Sequence, residues 1–328
     1  MIIFYNPYEK NFNSGSMQRI KFLSECLSKE SLHSKIIRGP EWFRSDYLLI
    51  RYLARVASFF HILILSQKNK VVTEVILSPV FLKNVYLTIH DMKANNVSAR
   101  RGLVRKYYYK FLLKCAKNII TVSADAKKNI IKFSNINPKK INVIYNGITE
   151  DKFVKLSEKK NLIKQFDFIY ISAFARHKNH IGLLNWLPKT SKVAFVGKDM
   201  GYLSKVKKTV SALDLNENVD FFIDVNDEEM ISLIARSKVG VYPSLYEGFG
   251  IPLLEYTIAG LPVICSKLDV FVEINSFGFN YCNFFSDSGE SDLAKMNLTS
   301  NYLTDYSIFP YSTFSLSASV AEGFGYQK

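Results

Sequence analysis

The sequence predicts an α/β protein of two doubly wound domains, each a mainly parallel sheet covered by helices on both faces. The chain of 328 residues is long enough for about two domains with separate cores. Both halves alternate short β-rich runs with stretches of helical periodicity, which is typical of parallel sheets. The charged run "EDKFVKLSEKKN" interrupts this alternation near the middle. We therefore expect one domain over residues 1–155 and a second over residues 156–328.

The first half is predicted to contain six strands and four helices. Its predicted strands are "MIIFYN", "SKIIR", "EVILS", "VYLTIHD", "NIITVS" and "INVIYNG". Its predicted helices cover residues 18–28, 47–65, 99–116 and 124–133.

The second half repeats the same alternation. Its predicted strands are "FDFIYIS", "KVAFVG", "VDFFID" and "VGVYPS", with helices from about residue 179, from about residue 202 and over residues 228–236. Ligands of doubly wound domains bind at the carboxyl ends of the strands. Two such domains therefore predict a cleft lined by these ends.

The stretch "YPSLYEGFGIPLLEYTIAGLPVIC" places two glutamates around a glycine-bearing segment. One interpretation is a capping box, in which Ser244 and Glu247 open a helix and Glu255 is a solvated helix charge. Pro252 argues against it, because proline lacks a backbone N–H and is best tolerated in the first helical turn. We therefore expect the helix to begin near Ile251, with Glu247 in the loop before it.

The ends of this helix favour an anion site at its start. Gly260 is expected to end the helix and Pro262 to prevent its continuation, after which "PVIC" forms a short strand. Gly248 and Gly250 then lie in a loop where a ligand approaches the backbone closely. Such a loop before a helix N-terminus binds anions, and the carboxylate of Glu255, one turn into the helix, suits ribose hydroxyls. Two glutamates also occur at this spacing by chance, so the spacing alone does not establish the site.

Composition and sequence patterns argue against a membrane span, a signal peptide and a cysteine metal site. The hydrophobic fraction of 48% and the charged fraction of 22% are those of a globular protein. The longest apolar run, "VASFFHILIL", is about half the ~20 residues that span a bilayer, and "MIIFYN" lacks the features of a signal peptide. The four cysteines are scattered, which favours buried thiols over metal ligands. No D-x-D triplet, the usual metal clamp on a nucleotide diphosphate, occurs, so we expect no metal. We also expect no cofactor.

The net charge of +14 belongs to the first half of the chain. Residues 1–150 contain 25 Lys and Arg against 9 Asp and Glu, whereas residues 151–328 contain 18 against 20. This asymmetry predicts an anionic partner, which is nucleic acid, an acidic membrane surface or a phosphorylated substrate. A basic nucleic-acid-binding protein is therefore an alternative, but no nucleic-acid-binding signature occurs and we expect no nucleic acid.

The order of motifs resembles that of the GT-B-fold retaining glycosyltransferases of family four (glycosyltransferase group 1), of the bacterial surface-polysaccharide type. The two-glutamate stretch is similar to the donor motif of that family. "SADAKKNI", "PKKINVIYNGI", "HKNH", "VGK" and "DVNDEEMISLIARSKVGVYPS" stand in the family's order. "SGSMQRI" resembles its glycine-rich loop, with Ser16 in place of the second glycine, and the family's proline is missing before Glu273.

The resemblance implies two Rossmann-like domains that face each other across a cleft. The domain over residues 1–155 would bind the acceptor, and the domain over residues 156–328 would bind the nucleotide sugar. The implied reaction moves a hexose from a UDP- or GDP-sugar to a hydroxyl of a lipid-linked or oligosaccharide acceptor, with retention and without a metal. A catalytically inactive GT-B partner subunit is a second alternative, since Ala173 and Ser16 depart from the family pattern.

The resemblance also implies roles for residues of the second half. Glu247 would contact the donor sugar, Glu255 would hold the ribose hydroxyls, and Lys178 would neutralise the diphosphate. Arg176 either substitutes for the arginine that the family has at Ala173 or is a solvent-exposed loop cation. The backbone amides implied to cap the diphosphate are those of Gly248, Phe249, Gly250 and Ile251.

Two residues of the first half complete the implied site. Gly15, in the glycine-bearing loop, would approach the donor phosphates. His90, at the end of "VYLTIHD", would lie near the reacting sugar, although a lone histidine at a strand end is also often structural.

The segment "SARRGLVRKYYYKFLLKCAKN" predicts a basic amphipathic helix without an acidic residue. The cations expected to contact a membrane or acceptor are Arg100, Arg101, Arg105 and Lys106. An ordinary surface helix is the alternative. Three or four cations near an anionic leaflet, each worth about 1 kcal/mol, hold a domain at a membrane. We therefore expect a cytoplasmic protein bound peripherally to the inner face of the cell membrane.

Overall fold

The computed structural model describes residues 1–6, 15–39, 47–75, 78–92, 100–158, 162–276, 282–284 and 313–326. The chain divides into two compact units. Unit 1 comprises Met1–Gly147 and Thr313–Lys328, and unit 2 comprises Ile148–Ser312. Each unit contains one six-stranded sheet.

Strands and helices alternate along the described chain. The strands are β1 (Ile2–Tyr5), β2 (Ser34–Ile37), β3 (Lys70–Thr73), β4 (Val85–Ile89), β5 (Asn118–Thr121), β6 (Ile141–Val143), β7 (Phe166–Ile171), β8 (Val193–Gly197), β9 (Val219–Ile223), β10 (Ser237–Tyr242), β11 (Val263–Cys265) and β12 (Cys282–Phe284). The α-helices are α1 (Gly15–Lys29), α2 (Leu48–Leu65), α3 (Arg100–Cys115), α4 (Ala124–Ser134), α5 (Glu150–Glu158), α6 (His180–Trp186), α7 (Leu203–Ala212), α8 (Asp227–Ala235), α9 (Ile251–Ile258), α10 (Asp269–Asn275) and α11 (Thr313–Gly323).

The sheet of unit 1 is parallel throughout, in the order β2-β1-β3-β4-β5-β6. The strand order reverses direction between β1 and β3, and this is the point where doubly wound folds bind ligands. Helix α11 returns to this unit and packs on α1. Just beyond α11, the ring of Phe324 lies edge-on to Phe4 and Tyr86, with centroids 6.2 and 5.7 Å away.

The sheet of unit 2 is also parallel, in the order β12-β11-β10-β7-β8-β9. Its reversal lies between β7 and β10. Helix α5 packs on α8 and α9 and buries Phe153 and Leu156 in this unit. The expected boundary after residue 155 falls inside α5, whereas the compact units separate just before this helix.

Most predicted elements occur, but the strand predicted at "EVILS" is wrong. The third strand is β3, which ends at Thr73, immediately before this run. Residues of β3 pair with β1 on one side and with β4 on the other. The chain then leaves the sheet at Glu74, so the charged side chain stands at the carboxyl edge instead of inside a ladder.

The predicted bounds of the helix in the two-glutamate stretch are confirmed. Helix α9 begins at Ile251, so the capping-box interpretation is wrong. At its other end Gly260 has φ 70°, the left-handed conformation that glycine adopts without strain. The amides of Gly260 and Leu261 donate to the carbonyls of Thr257 and Tyr256, which is the Schellman pattern.

Sequence patterns did not predict α5, α10, β12 or α11, and the run expected to interrupt the alternation near the middle of the chain forms α5. Helix α10 has seven residues, of which Val270, Phe271 and Ile274 are buried. Two turns are too short for a helical period to be distinguished from a buried strand.

Candidate active site

The candidate site of unit 2 lies where its sheet reverses direction, at the carboxyl ends of β7 and β10. Two loops follow these strands. The first contains a 3₁₀ turn over Arg176–Lys178, and the second contains Glu247 and leads into α9. The fold therefore brings Lys178 and Glu247 together although they lie 69 residues apart.

Hydrogen bonds tie these two loops to each other. The buried hydroxyl of Tyr170, at the end of β7, donates to the carbonyl of Lys178 (2.7 Å) and lies 3.1 Å from Ser244 Oγ. The amide of Leu245 donates to the carbonyl of His177 (2.9 Å). Burial strongly raises the pKa of Tyr170, so its hydroxyl keeps the proton that it donates. The backbone around Lys178 is thus fixed relative to the second loop.

Lys178 and Glu247 form an ion pair between these two loops. The Lys178 Nζ donates to Glu247 Oε1, and their side chains are 12% and 8% exposed. In a largely buried pair of opposite charges, each partner offsets part of the hydration that the other loses. The predicted diphosphate-neutralising lysine and the predicted sugar-binding glutamate are therefore in direct contact.

The start of α9 has the geometry that suits close backbone approach. Gly250 precedes the helix with φ 114°, and a Cβ there would lie 2.9 Å from the ring of Phe271. Only glycine fits this position. Pro252 occupies the first turn, as its missing N–H requires. Phe249, just before this glycine, is buried as a whole residue.

Glu255 lies one turn inside α9, as predicted, and is paired with a lysine that sequence reasoning missed. The Lys152 Nζ, from α5, donates to Glu255 Oε1. Their side chains are 10% and 2% exposed. The two residues are 103 positions apart, so no periodicity links them. The only local signal is a lysine beside Phe153, which belongs to the buried face of α5.

His180, two residues after Lys178, packs its ring in the core of unit 2. Its ring is fully buried, stacks on Phe174 at a centroid distance of 4.7 Å, and places Nε2 3.3 Å from Ser172 Oγ. Burial, together with the charges of Lys178 and His177, lowers the pKa of His180 to about 3. The ring is therefore neutral at physiological pH and serves as an aromatic core residue.

The remaining predicted residues of unit 2 are placed as follows. Arg176 is exposed in the 3₁₀ turn, next to the pair formed by Lys178, and Ala173 lies just before that turn. Gly248 lies in the loop between Glu247 and α9. In the described part of the chain, no three His, Cys, Asp or Glu side chains are grouped so as to hold a metal ion.

Unit 1 has a second polar cluster at its own sheet reversal, between β1 and β3. His90 follows β4, and its Nε2 lies 2.7 Å from Oε1 of Glu74, the first residue after β3. The same Oε1 accepts a hydrogen bond from Ser16 Oγ (2.7 Å) in the first turn of α1. Gly15, the first residue of α1, is exposed beside it. Sequence reasoning named His90 and Gly15 but missed Glu74, which was assigned to a strand.

Helix α3 presents aromatic rings to solvent. Tyr107 and Phe111 are 68% and 66% exposed, whereas Leu112 and Leu113 are buried against the sheet. Arg100, Arg101 and Arg105 lie on this helix, but their side chains are outside the described part of the structure, and Lys106 is half-buried. The predicted apolar stripe is thus divided between the core and the surface. No helix within the described ranges is long and apolar enough to cross a membrane.

Two family models match adjacent parts of the chain. Residues 30–152 match the model described as Glycosyltransferase Family 4, and residues 149–295 match the model described as Glycosyl transferases group 1. The O-antigen chain mannosyltransferase RfbU of Salmonella typhimurium is 32% identical over 210 residues, which are 62% of this chain and 57% of that protein. The chain spans about half the length of the curated relatives it matches.

Solved structures match the chain over almost its whole length. WaaG, a glycosyltransferase involved in lipopolysaccharide biosynthesis, is similar at TM-score 0.66 and 16% identity, over 100% of this chain and 96% of that one. HepE of Anabaena, solved with UDP and glucose, is similar at TM-score 0.63 and 16% identity, over 98% and 93%. The protein therefore has the α/β architecture of the GT-B fold. Within that fold, its two matched regions are similar to the family 4 glycosyltransferases and to the group 1 glycosyltransferases.

Proposed function

We propose that this protein is a retaining glycosyltransferase that moves a hexose from a nucleotide-diphosphate sugar to an acceptor hydroxyl in the synthesis of a surface polysaccharide. The observation that carries the proposal is the Lys178–Glu247 pair at the sheet reversal of unit 2, beside the glycine-bearing start of α9. A lysine and a helix N-terminus stabilise the negative charge of a leaving diphosphate, and a carboxylate accepts hydrogen bonds from sugar hydroxyls.

Each residue of the site has one role in this proposal. Lys178 and the amides at the start of α9 stabilise the charge that develops on the diphosphate. Glu247 accepts hydrogen bonds from the donor sugar, and Glu255 accepts them from the ribose. Arg176 supplies further positive charge. Lys152 holds the Glu255 carboxylate in place.

Unit 1 binds the acceptor in this proposal, and Gly15 and His90 are its candidate site residues. In this proposal Glu247 and Glu255 bind hydroxyl groups, so neither is the nucleophile of a two-step scheme. A same-face reaction, in which the departing phosphate assists removal of the acceptor proton, therefore fits the residues better than a two-carboxylate scheme. The donor is a UDP- or GDP-sugar, in line with HepE, which was solved with UDP. The acceptor is a lipid-linked glycan or oligosaccharide, in line with the O-antigen chain named for RfbU.

The protein is further proposed to act at the inner face of the cytoplasmic membrane. Exposed aromatic rings on α3 lie among cations, and α2 adds a row of exposed apolar side chains. This row consists of Leu49, Leu53, Phe60 and Ile64. Anionic lipid is the surface that exposed apolar and basic side chains suit.

The proposal is tested by nucleotide binding and then by product analysis. A thermal-shift screen with UDP, GDP, ADP and their monophosphates should identify one diphosphate that raises Tm, because ligand at 100 times its Kd adds about 2.7 kcal/mol of stability. The matching hexose donors are then incubated with lipid-linked acceptor, and the anomeric configuration of the product is read by NMR. A protein that binds no nucleotide diphosphate, or a product of inverted configuration, contradicts the proposal.

A further inference from the structure

We propose that Glu74 is a positioning residue that locks the imidazole of His90 in the tautomer protonated at Nε2. Nδ1 is then the hydrogen-bond acceptor that the ring offers to a sugar hydroxyl. The inference rests on the proposed function for the identity of that hydroxyl. The tautomer itself depends only on unit 1.

The position of Glu74 in the fold is that of a functional residue. It is the first residue after β3, and the strand order of unit 1 reverses between β1 and β3. The residue after β1 is Asn6, which lines the same pocket as Glu74 and donates to Ser16 Oγ at 3.4 Å. A carboxylate at this edge is within reach of ligands that bind doubly wound domains at their reversal point.

The hydrogen bonds around Glu74 determine which nitrogen of His90 carries the proton. An ionised carboxylate only accepts hydrogen bonds. Its Oε1 lies 2.7 Å from His90 Nε2 and accepts from Ser16 Oγ at the same distance. Nε2 is therefore the donor, and a neutral imidazole then has its lone pair on Nδ1. The side chain of His90 is 36% exposed, so part of the ring is accessible.

His90, Ser16 and a buried arginine together keep Glu74 ionised. Burial alone would raise the pKa of the Glu74 carboxyl, but His90, the Ser16 hydroxyl and Arg19 together hold it below its ordinary value. Arg19 is 2% exposed and donates from Nη1 to the carbonyl of Ile144 (3.0 Å) and to Asn146 Oδ1. Burial lowers the pKa of Arg19 to about 10, which leaves it charged at neutral pH.

The experiment is ¹⁵N NMR of the imidazole rings in the full chain without ligand, at a pH where His90 is neutral. Its signals are assigned by their loss in His90→Asn. The wild type should show His90 protonated at Nε2, whereas Glu74→Gln should shift the ring toward the Nδ1–H tautomer, because an amide does not demand a donor. Glu30→Gln is the matched control. Glu30 accepts from Ser317 Oγ (2.7 Å) at the opposite end of α1, and its variant should leave the His90 signals unchanged.

Kinetics then test whether the tautomer is used. With donor and acceptor in hand, Glu74→Gln should reduce kcat/KM by about 10- to 100-fold, and should cause no further loss in the His90→Asn background. Independent losses in the double variant overturn the positioning role. A wild-type His90 protonated at Nδ1, or a tautomer unchanged in Glu74→Gln, overturns it without any activity. A chain that transfers no sugar but shows the expected tautomer shift contradicts the proposed function alone.

Discussion

Each glutamate of the two-glutamate stretch faces a lysine, and the two pairs have different surroundings. The Lys178–Glu247 pair, 12% and 8% exposed, joins the loops after β7 and β10, whereas the Lys152–Glu255 pair, 10% and 2% exposed, joins α5 and α9. An enclosed ion pair is worth little against an apolar replacement of both partners, but removing one partner leaves an uncompensated charge. Removing Lys152 alone should therefore destabilise the protein more than removing a surface lysine.

We predict that Lys152→Met destabilises the protein by about 3–5 kcal/mol, because it leaves the Glu255 carboxylate buried without a counterion. Adding Glu255→Leu should restore much of this loss. The measurement is urea unfolding. Lys155→Met is the matched control on the same helix, since its pair with Asp151 is exposed, and it should change stability little. A Lys152→Met variant as stable as that control would show that the pair is not enclosed in solution.

The two glutamates should also differ in what they bind. We predict that Glu255→Ala weakens binding of the nucleotide diphosphate by roughly 1.5–3 kcal/mol, because a hydrogen bond to a charged group is lost. Glu247→Ala should instead slow transfer and spare the affinity for the free nucleotide. Isothermal titration and steady-state kinetics separate the two effects, with exposed Glu217→Ala as control. Equal nucleotide affinity in wild type and Glu255→Ala would refute the ribose assignment.

His180 gives the stability of the protein a defined pH dependence. Its pKa is about 3 in the folded protein against an ordinary 6.5, so the unfolded chain binds the proton first as pH falls. Its contribution is complete above about pH 6.5 and is lost progressively toward pH 3, at up to about 1.4 kcal/mol per pH unit. His180→Phe keeps the stacking on Phe174 but cannot titrate, so its unfolding free energy should fall less on acidification. Parallel pH curves for the two proteins would contradict this.

Among helices and strands, the sequence predicted the features that depend on nearby residues, through hydrophobic periodicity and the positions of proline and glycine. Pro252 and Gly260 place the two ends of α9 because proline and glycine act within one turn. The register of β3 was not predictable in this way, since "KVVT" and "EVILS" are equally β-rich and only pairing with β1 and β4 selects the first. The partners of Glu255 and His90 were missed because their hydrogen bonds join separate elements.

Helices α2 and α3 carry the prediction on membrane binding. Wild-type protein should sediment with vesicles that contain anionic lipid at low salt, and should be released as salt rises, because screening removes the attraction of the cations. Reversing Arg100, Arg101 and Arg105 to glutamate should abolish the binding.

The control for this experiment reverses three exposed lysines of α7 in unit 2, Lys205, Lys207 and Lys208, which changes the net charge equally. It should leave vesicle binding intact. Loss of binding in both variants would indicate an effect of net charge alone, and protein that stays in the supernatant at low salt would refute membrane docking.

The whole molecule divides its charge between the two halves of the chain. Residues 1–150, nearly all in unit 1, hold the excess of cations, while residues 151–328 are close to neutral. A near-neutral half binds one anionic nucleotide with a few placed groups, whereas a strongly basic half suits an extended anionic surface. The charge distribution therefore supports the proposal that the second half binds the nucleotide-sugar donor, while the basic first half binds at an anionic surface that carries the acceptor.

Catalysis should not require a divalent cation. Lys178 and the start of α9 place positive charge at the sheet reversal of unit 2, and the sequence contains no D-x-D triplet to clamp a metal on the diphosphate. We predict that kcat and KM are unchanged after dialysis against EDTA, and that added Mg²⁺ or Mn²⁺ changes the rate by less than about twofold. Because Lys178 takes the place of the metal, Lys178→Ala should lower kcat by about 100-fold or more and should not be rescued by Mg²⁺. Complete loss of turnover in EDTA that Mg²⁺ or Mn²⁺ restores would show that a metal, and not Lys178, stabilises the leaving diphosphate.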